Sequence, residues 1–125
     1  MTTAEISTET AAGLANEFYA RVDAGDIDGL VSMFADDAEY HRPGYPPVLG
    51  QSGMDHFYRY ERVIAGGAHT LDGVAVTGNE VAVRGSFAGT KRDGSVAQHR
   101  FAEFFTLGTD GRFARRETFF SAPLV

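Results

Sequence analysis

Three glycine-bearing dipeptides, Gly78-Asn79, Asp93-Gly94 and Asp110-Gly111, cut the second half of the chain into four segments of strand character. The segments are residues 69–77, 80–90, 95–107 and 112–121. Glycine next to asparagine or aspartate supplies the positive φ that tight hairpin turns require. Connections this short leave no room for crossover helices, so the four segments must follow one another as an antiparallel meander. Such a sheet has a face to bury, and the cover has to come from the first half of the chain.

That half reads as helix. Over residues 8–24, Leu14, Phe18 and Val22 recur every fourth position, and Gly25 stops the pattern. Asp26 is placed to cap a second helix carrying Ile27, Leu30, Val31 and Phe34, which Asp36-Asp37 ends. Residues 38–42 alternate and predict a strand. Pro43, Pro46 and Pro47 each lack an N–H, so residues 43–47 predict a loop. Ser52-Gly-Met-Asp55 has the form of a capping box opening a third helix. Met54, Phe57, Tyr58 and Ile64 give that helix an apolar side, and Gly66-Gly67 ends it. The expected fold is α+β: three N-terminal helices packed on a curved antiparallel sheet, forming a cone whose open end holds a pocket. Its 125 residues suit one domain over 1–125, with an ordered core of about 8–122.

Composition narrows the chemistry. There is no cysteine, which removes disulfides, thiolate catalysis and cysteine-ligated metals. No apolar run approaches the ~18 residues of a membrane span, and the N-terminus has no basic and apolar leader. A cytoplasmic location is expected, with no membrane partner. Seventeen acidic against eleven basic residues give a net charge of −6, which argues against nucleic acid. His41, His56 and His69 show no metal-ligand spacing, so no metal and no cofactor are expected.

The order α-α-β-α-β-β-β-β resembles the cone-shaped nuclear transport factor 2-like (cystatin-like) fold. That superfamily includes ketosteroid isomerases, SnoaL-like polyketide cyclases and limonene epoxide hydrolases. Two stretches carry the likeness, Ala24-Gly-Asp-Ile-Asp-Gly-Leu-Val-Ser-Met-Phe-Ala-Asp-Asp-Ala38 and Asp110-Gly-Arg-Phe-Ala114. The ketosteroid isomerase pattern implies a Tyr on the first helix, an Asp base after the first strand and a protonated Asp on the fourth strand. Those positions fall on Phe18 (with Tyr19 beside it), Arg42 and Glu103. An Arg, with a pKa above about 12, is no base, so steroid isomerase activity is not expected. The hydrolase pattern implies two carboxylates where this chain has Arg84, Ser86 and Thr118.

Strand alternation puts Ala97, His99, Phe101, Glu103, Phe105 and Leu107 on one face. The resemblance turns that face inward, together with Arg116 and Phe120 from the last strand and Tyr40 and Arg42 from the first. The candidate catalytic set is Glu103, His99, Arg42, Arg116 and Tyr40. The candidate substrate-binding set is Phe18, Phe34, Met54, Phe57, Tyr58, Phe101 and Phe120. Glu103 has two readings: a proton donor among Phe rings, or the structural partner of Arg116 or Arg42. The resemblance implies a cofactor-independent isomerase or polyketide-type cyclase acting on an apolar, carbonyl-containing small molecule. The alternatives are a binding or carrier protein of the same fold, and a subunit that acts by dimerising. Aromatic residues on both faces of the last two strands lead to the expectation of a homodimer.

Overall fold

Ser7 begins the first helix, α1 (Thr8–Ala24), by accepting the Thr10 N–H on its side-chain oxygen at 3.1 Å. Gly25, with φ of 71°, closes the helix in the left-handed conformation. The computed structural model describes residues 6–121; both ends of the expected domain, 1–5 and 122–125, lie outside it. The buried positions of α1 are Ala11, Ala15, Phe18, Tyr19 and Val22, so small alanines bring its backbone close to the sheet.

Asp26 caps α2 (Ile27–Ser32) through the Gly29 N–H at 3.0 Å, as the sequence predicts. The helix stops before Phe34, which instead opens strand β1 (Phe34–His41). The Phe34 ring sits edge-on to Phe18 at 5.6 Å and packs against Phe113 at 5.7 Å. That aromatic burial draws Phe34 out of helical register. Asp36 and Asp37 are therefore exposed strand residues, not a helix end.

The proline loop leads to a two-residue strand, β2 (Val48–Leu49), and then to α3 (Gly50–His56). No capping box forms at Ser52, because α3 starts two residues earlier, and Asp55 binds Arg59 Nε at 2.9 Å instead. A π-helical turn over Phe57–Glu61 follows and carries Phe57 and Tyr58 inward. The helices α1, α2 and α3 follow the expected α-α-β-α order, but α3 comes after β1 and the added β2, so the expectation of three N-terminal helices is matched only in part.

The meander is β3 (Ile64–Thr77), β4 (Glu80–Lys91), β5 (Val96–Leu107) and β6 (Phe113–Phe120), each antiparallel to the next. All three expected turns are present, with positive φ at Gly78, Gly94 and Gly111. β3 starts five residues before the expected position, so Gly66-Gly67 lies inside a strand, next to a register shift against β4. The full order is β2-β1-β6-β5-β4-β3, and β1 runs parallel to β6, so the sheet is mixed and not wholly antiparallel.

Phe18 lies at the centre of the core, with the rings of Tyr19, Phe34, Phe105 and Phe113 packed edge-on 5.4 to 5.7 Å away. This aromatic cluster fills the closed end of the cone. The other end is open.

Candidate functional site

A cavity of about 520 Å³ occupies that open end, between the π-turn, the proline loop and the inner face of the sheet. Tyr40, Arg42, His99, Glu103 and Arg116 all line it, so the sequence-derived polar set meets in one place. Phe57, Tyr58, Phe101 and Phe120 also line it, with Phe120 half exposed at the mouth. Phe18, Phe34 and Met54 do not. They are fully buried in the core below, because the closed end of the cone needs large apolar volume to fill it.

Glu103, on β5, is 1 % exposed and accepts from three donors. Arg116 Nε binds Oε2 at 2.7 Å, the Tyr19 hydroxyl binds Oε1 at 2.5 Å, and the Thr118 hydroxyl also binds Oε2. Burial alone would raise the Glu103 carboxyl. The Arg116 charge and these hydrogen bonds outweigh burial and hold it below the ordinary range. Burial likewise works against the Arg116 cation, but the Glu103 charge overcomes it and holds Arg116 well above its ordinary value. Glu103 is therefore an ionised anchor paired with Arg116, which is the second of its two readings.

A proton inventory shows what the network leaves over. The single Thr118 proton goes to the Glu103 carboxylate, which can only accept. The 3.1 Å contact between Thr118 and Tyr40 is then made by the Tyr40 hydroxyl proton. Tyr19 spends its proton on Glu103. Tyr58 is different: its oxygen accepts from Arg116 Nη1 at 2.7 Å, which leaves its own proton unspent. Accepting a charged N–H strengthens a hydroxyl as a donor. Burial pushes the Tyr40 phenol up to about 12, so it stays neutral.

His69, on β3, also lines the cavity. The Asp23 carboxylate, at the end of α1, grips it twice, through the backbone N–H at 2.9 Å and through Nδ1 at 2.6 Å. Because a carboxylate only accepts, the imidazole proton sits on Nδ1 and Nε2 keeps its lone pair. Burial lowers the His69 pKa, and the hydrogen bond and charge of Asp23 offset only part of that, so the ring is neutral near pH 7. His99 lies between the Phe87 and Phe120 rings, with centroids 5.4 and 4.8 Å away, and no carboxylate among the described residues orients it. Burial lowers its pKa too.

The main site residues that sequence reasoning missed are thus Tyr19, Asp23, His69 and Thr118. Tyr19 is one position from the expected Phe18, and that single step turns a side chain about 100° around a helix. Asp23 and His69 stand 46 residues apart with no motif between them.

The SnoaL-like domain family matches residues 15–116. This chain belongs to that family. Solved structures agree on the fold. An NTF2-like protein of unknown function from Burkholderia pseudomallei superimposes with a TM-score of 0.81 at 20 % identity, over 93 % of this chain and 92 % of that one. The epoxide hydrolase/cyclase-like enzyme SalBIII, with its role in pyran ring formation in the polyether salinomycin, gives 0.80 at 18 % identity. That match covers 90 % of this chain and 92 % of the other. Within the SnoaL-like frame, the carboxylate at Glu103 is spoken for by Arg116, while His69 Nε2 and the Tyr58 hydroxyl proton have no partner among the described residues.

Proposed function

We infer that this SnoaL-like protein is a cofactor-independent isomerase or cyclase that moves a proton on an apolar carbonyl compound. The observation that carries this reading is the His69 imidazole, fixed by Asp23 in its Nδ1–H form on the wall of the cavity that Tyr58 also lines. His69 Nε2 takes a proton from the carbon next to the carbonyl. The C–H electron pair moves into the carbon–carbon bond, and the carbonyl pair moves onto oxygen. The Tyr58 hydroxyl stabilises that enolate oxygen. Return of the proton to another carbon completes an isomerisation. In a cyclisation the enolate carbon attacks a second carbonyl, and the new alkoxide takes the proton back from His69.

The test uses 2-tetralone in deuterated buffer, with loss of its α-proton signal followed by NMR. The wild-type protein should accelerate exchange over buffer, and His69→Gln and Tyr58→Phe should abolish most of the gain. Exchange no faster than buffer, or a His69→Gln variant as active as the parent, overturns the reading.

A further inference from the structure

Four cations line the cavity, Arg42, Arg62, Lys91 and Arg116, against two carboxylates, Glu61 and Glu103. This excess of positive charge sits in a chain whose net charge is −6. The pairings sharpen the imbalance. Glu103 is committed to Arg116, and Glu61 lies 3.3 Å from His56 on the exposed side. Arg42 and Arg62 make no ion pair among the described residues. Neither guanidinium is a loose surface group. Arg42 is sandwiched 4.4 Å from the ring centroids of both Tyr45 and Phe57, and its Nε is buried without a hydrogen-bond partner. Arg62 follows the π-turn and lies 5.5 Å from the Tyr58 ring, the phenol that faces the reacting carbonyl in the proposed chemistry. Burial lowers the Arg62 pKa, a cost that a bound anion would relieve.

Aromatic sandwiching fixes the position of a guanidinium without consuming its donors. A buried donor left unpaired is costly, so an anion that pairs with Arg42 Nε gains more than it would from an exposed donor. The cavity thus combines aromatic walls with two pre-positioned, unspent cations, Arg42 and Arg62.

We propose that the substrate is an amphipathic acid, an apolar ring system bearing a carboxylate that Arg42 and Arg62 bind at the cavity mouth. The proposal takes the proton-transfer cavity as given and adds the charge of its occupant. The carboxylate orients the molecule with its apolar carbonyl end inward, towards His69 and Tyr58.

Isothermal titration calorimetry with 2-naphthoate and its neutral analogue 2-naphthamide tests this. Neither probe carries an enolisable α-proton, so the result does not depend on whether the chemistry is right. The wild type should bind naphthoate roughly tenfold or more tightly than naphthamide, the scale of a charge-assisted hydrogen bond. Arg42→Gln and Arg62→Gln should each weaken naphthoate binding more than naphthamide binding and so erode that preference. Equal binding of the two probes overturns the proposal. So does binding of neither at millimolar concentration, or a preference that survives in both variants. The 2-tetralone exchange experiment reports separately on proton transfer, so either idea can fail alone.

Discussion

Glu103 and Arg116 are both nearly inaccessible, and each is the condition for burying the other. Breaking such a pair by removing one charge costs about 3–5 kcal/mol, because the surviving ion is stranded in low dielectric. Glu103→Gln should therefore lower the urea midpoint sharply, and an unchanged midpoint would show that Arg116 does not need its anion. The pair also sets a pH dependence. The folded Glu103 value lies below the ordinary 4.5, so on acidification the unfolded chain takes up this proton first. Its stabilisation is complete above about pH 4.5 and is lost as pH falls through the folded value. His69 also has a folded value below its ordinary 6.5. Stability from keeping it neutral is present above about 6.5 and is lost as pH falls below that. As a base it should stay active below pH 6.5, and the acid limb of kcat/KM should vanish in His69→Gln. Asp23→Asn should keep the fold yet cut activity by about 10²–10⁴-fold, since an amide can donate to Nδ1 and move the ring proton onto Nε2. An Asn variant with parental rates would sink the dyad.

At the scale of elements, the shape of the cavity rests on how closely β3 and β4 approach. A Cβ at Gly89 would stand 2.1 Å from the Gly66 carbonyl oxygen, and one at Gly85 would stand 2.2 Å from the Thr70 carbonyl oxygen. Both obstructions are backbone, which cannot swing aside. These glycines cluster where β3 shifts register against β4, and such irregularities bend a strand. Curvature there sets His69 and Phe87, whose ring centroids are 4.7 Å apart, against the inner cavity wall. Gly89→Ala should cost about 1–3 kcal/mol in chemical denaturation, as forced overpacking does. Gly13→Ala, on α1 with nothing within 4 Å of its new methyl, should instead be neutral or stabilising. The contrast separates close approach from a general effect of adding a methyl group.

For the whole molecule, the outer face of the sheet carries an unpaired aromatic contact. Phe104 and Phe119 pack edge-on with centroids 5.8 Å apart, yet they are 38 % and 48 % exposed. Neighbouring Arg100 and Arg115 are exposed as well. We propose that a second copy of the chain covers this face, as alternation on the last two strands leads one to expect. Sedimentation at tens of micromolar should show a dimer, and a Phe104→Ser, Phe119→Ser double variant should run as a monomer. A wild-type monomer would count against it. No described helix is long and apolar enough to cross a membrane.

Local rules carried much of this structure into the sequence. The bounds of α1, the Asp26 cap, three hairpin turns and the alternation of β5 all depend on neighbours a few residues apart, where chain chemistry acts directly. Alternation also brought Tyr40, Arg42, His99, Glu103 and Arg116 to one cavity once the resemblance had fixed which face was inside. What local rules could not supply were contacts between distant segments. Phe34 reads as a helical position until Phe18 and Phe113 claim its ring. Gly66-Gly67 reads as a helix end until β4 lies alongside it. Glu103 has two chemistries on paper, and Tyr19, Thr118 and Arg116 converging on one carboxylate select between them. The Asp23–His69 dyad spans α1 and β3 and exists only when the helix is laid across the sheet. Alternation and capping are properties of adjacent peptide units, whereas a proton's position depends on every group the fold brings within hydrogen-bonding distance.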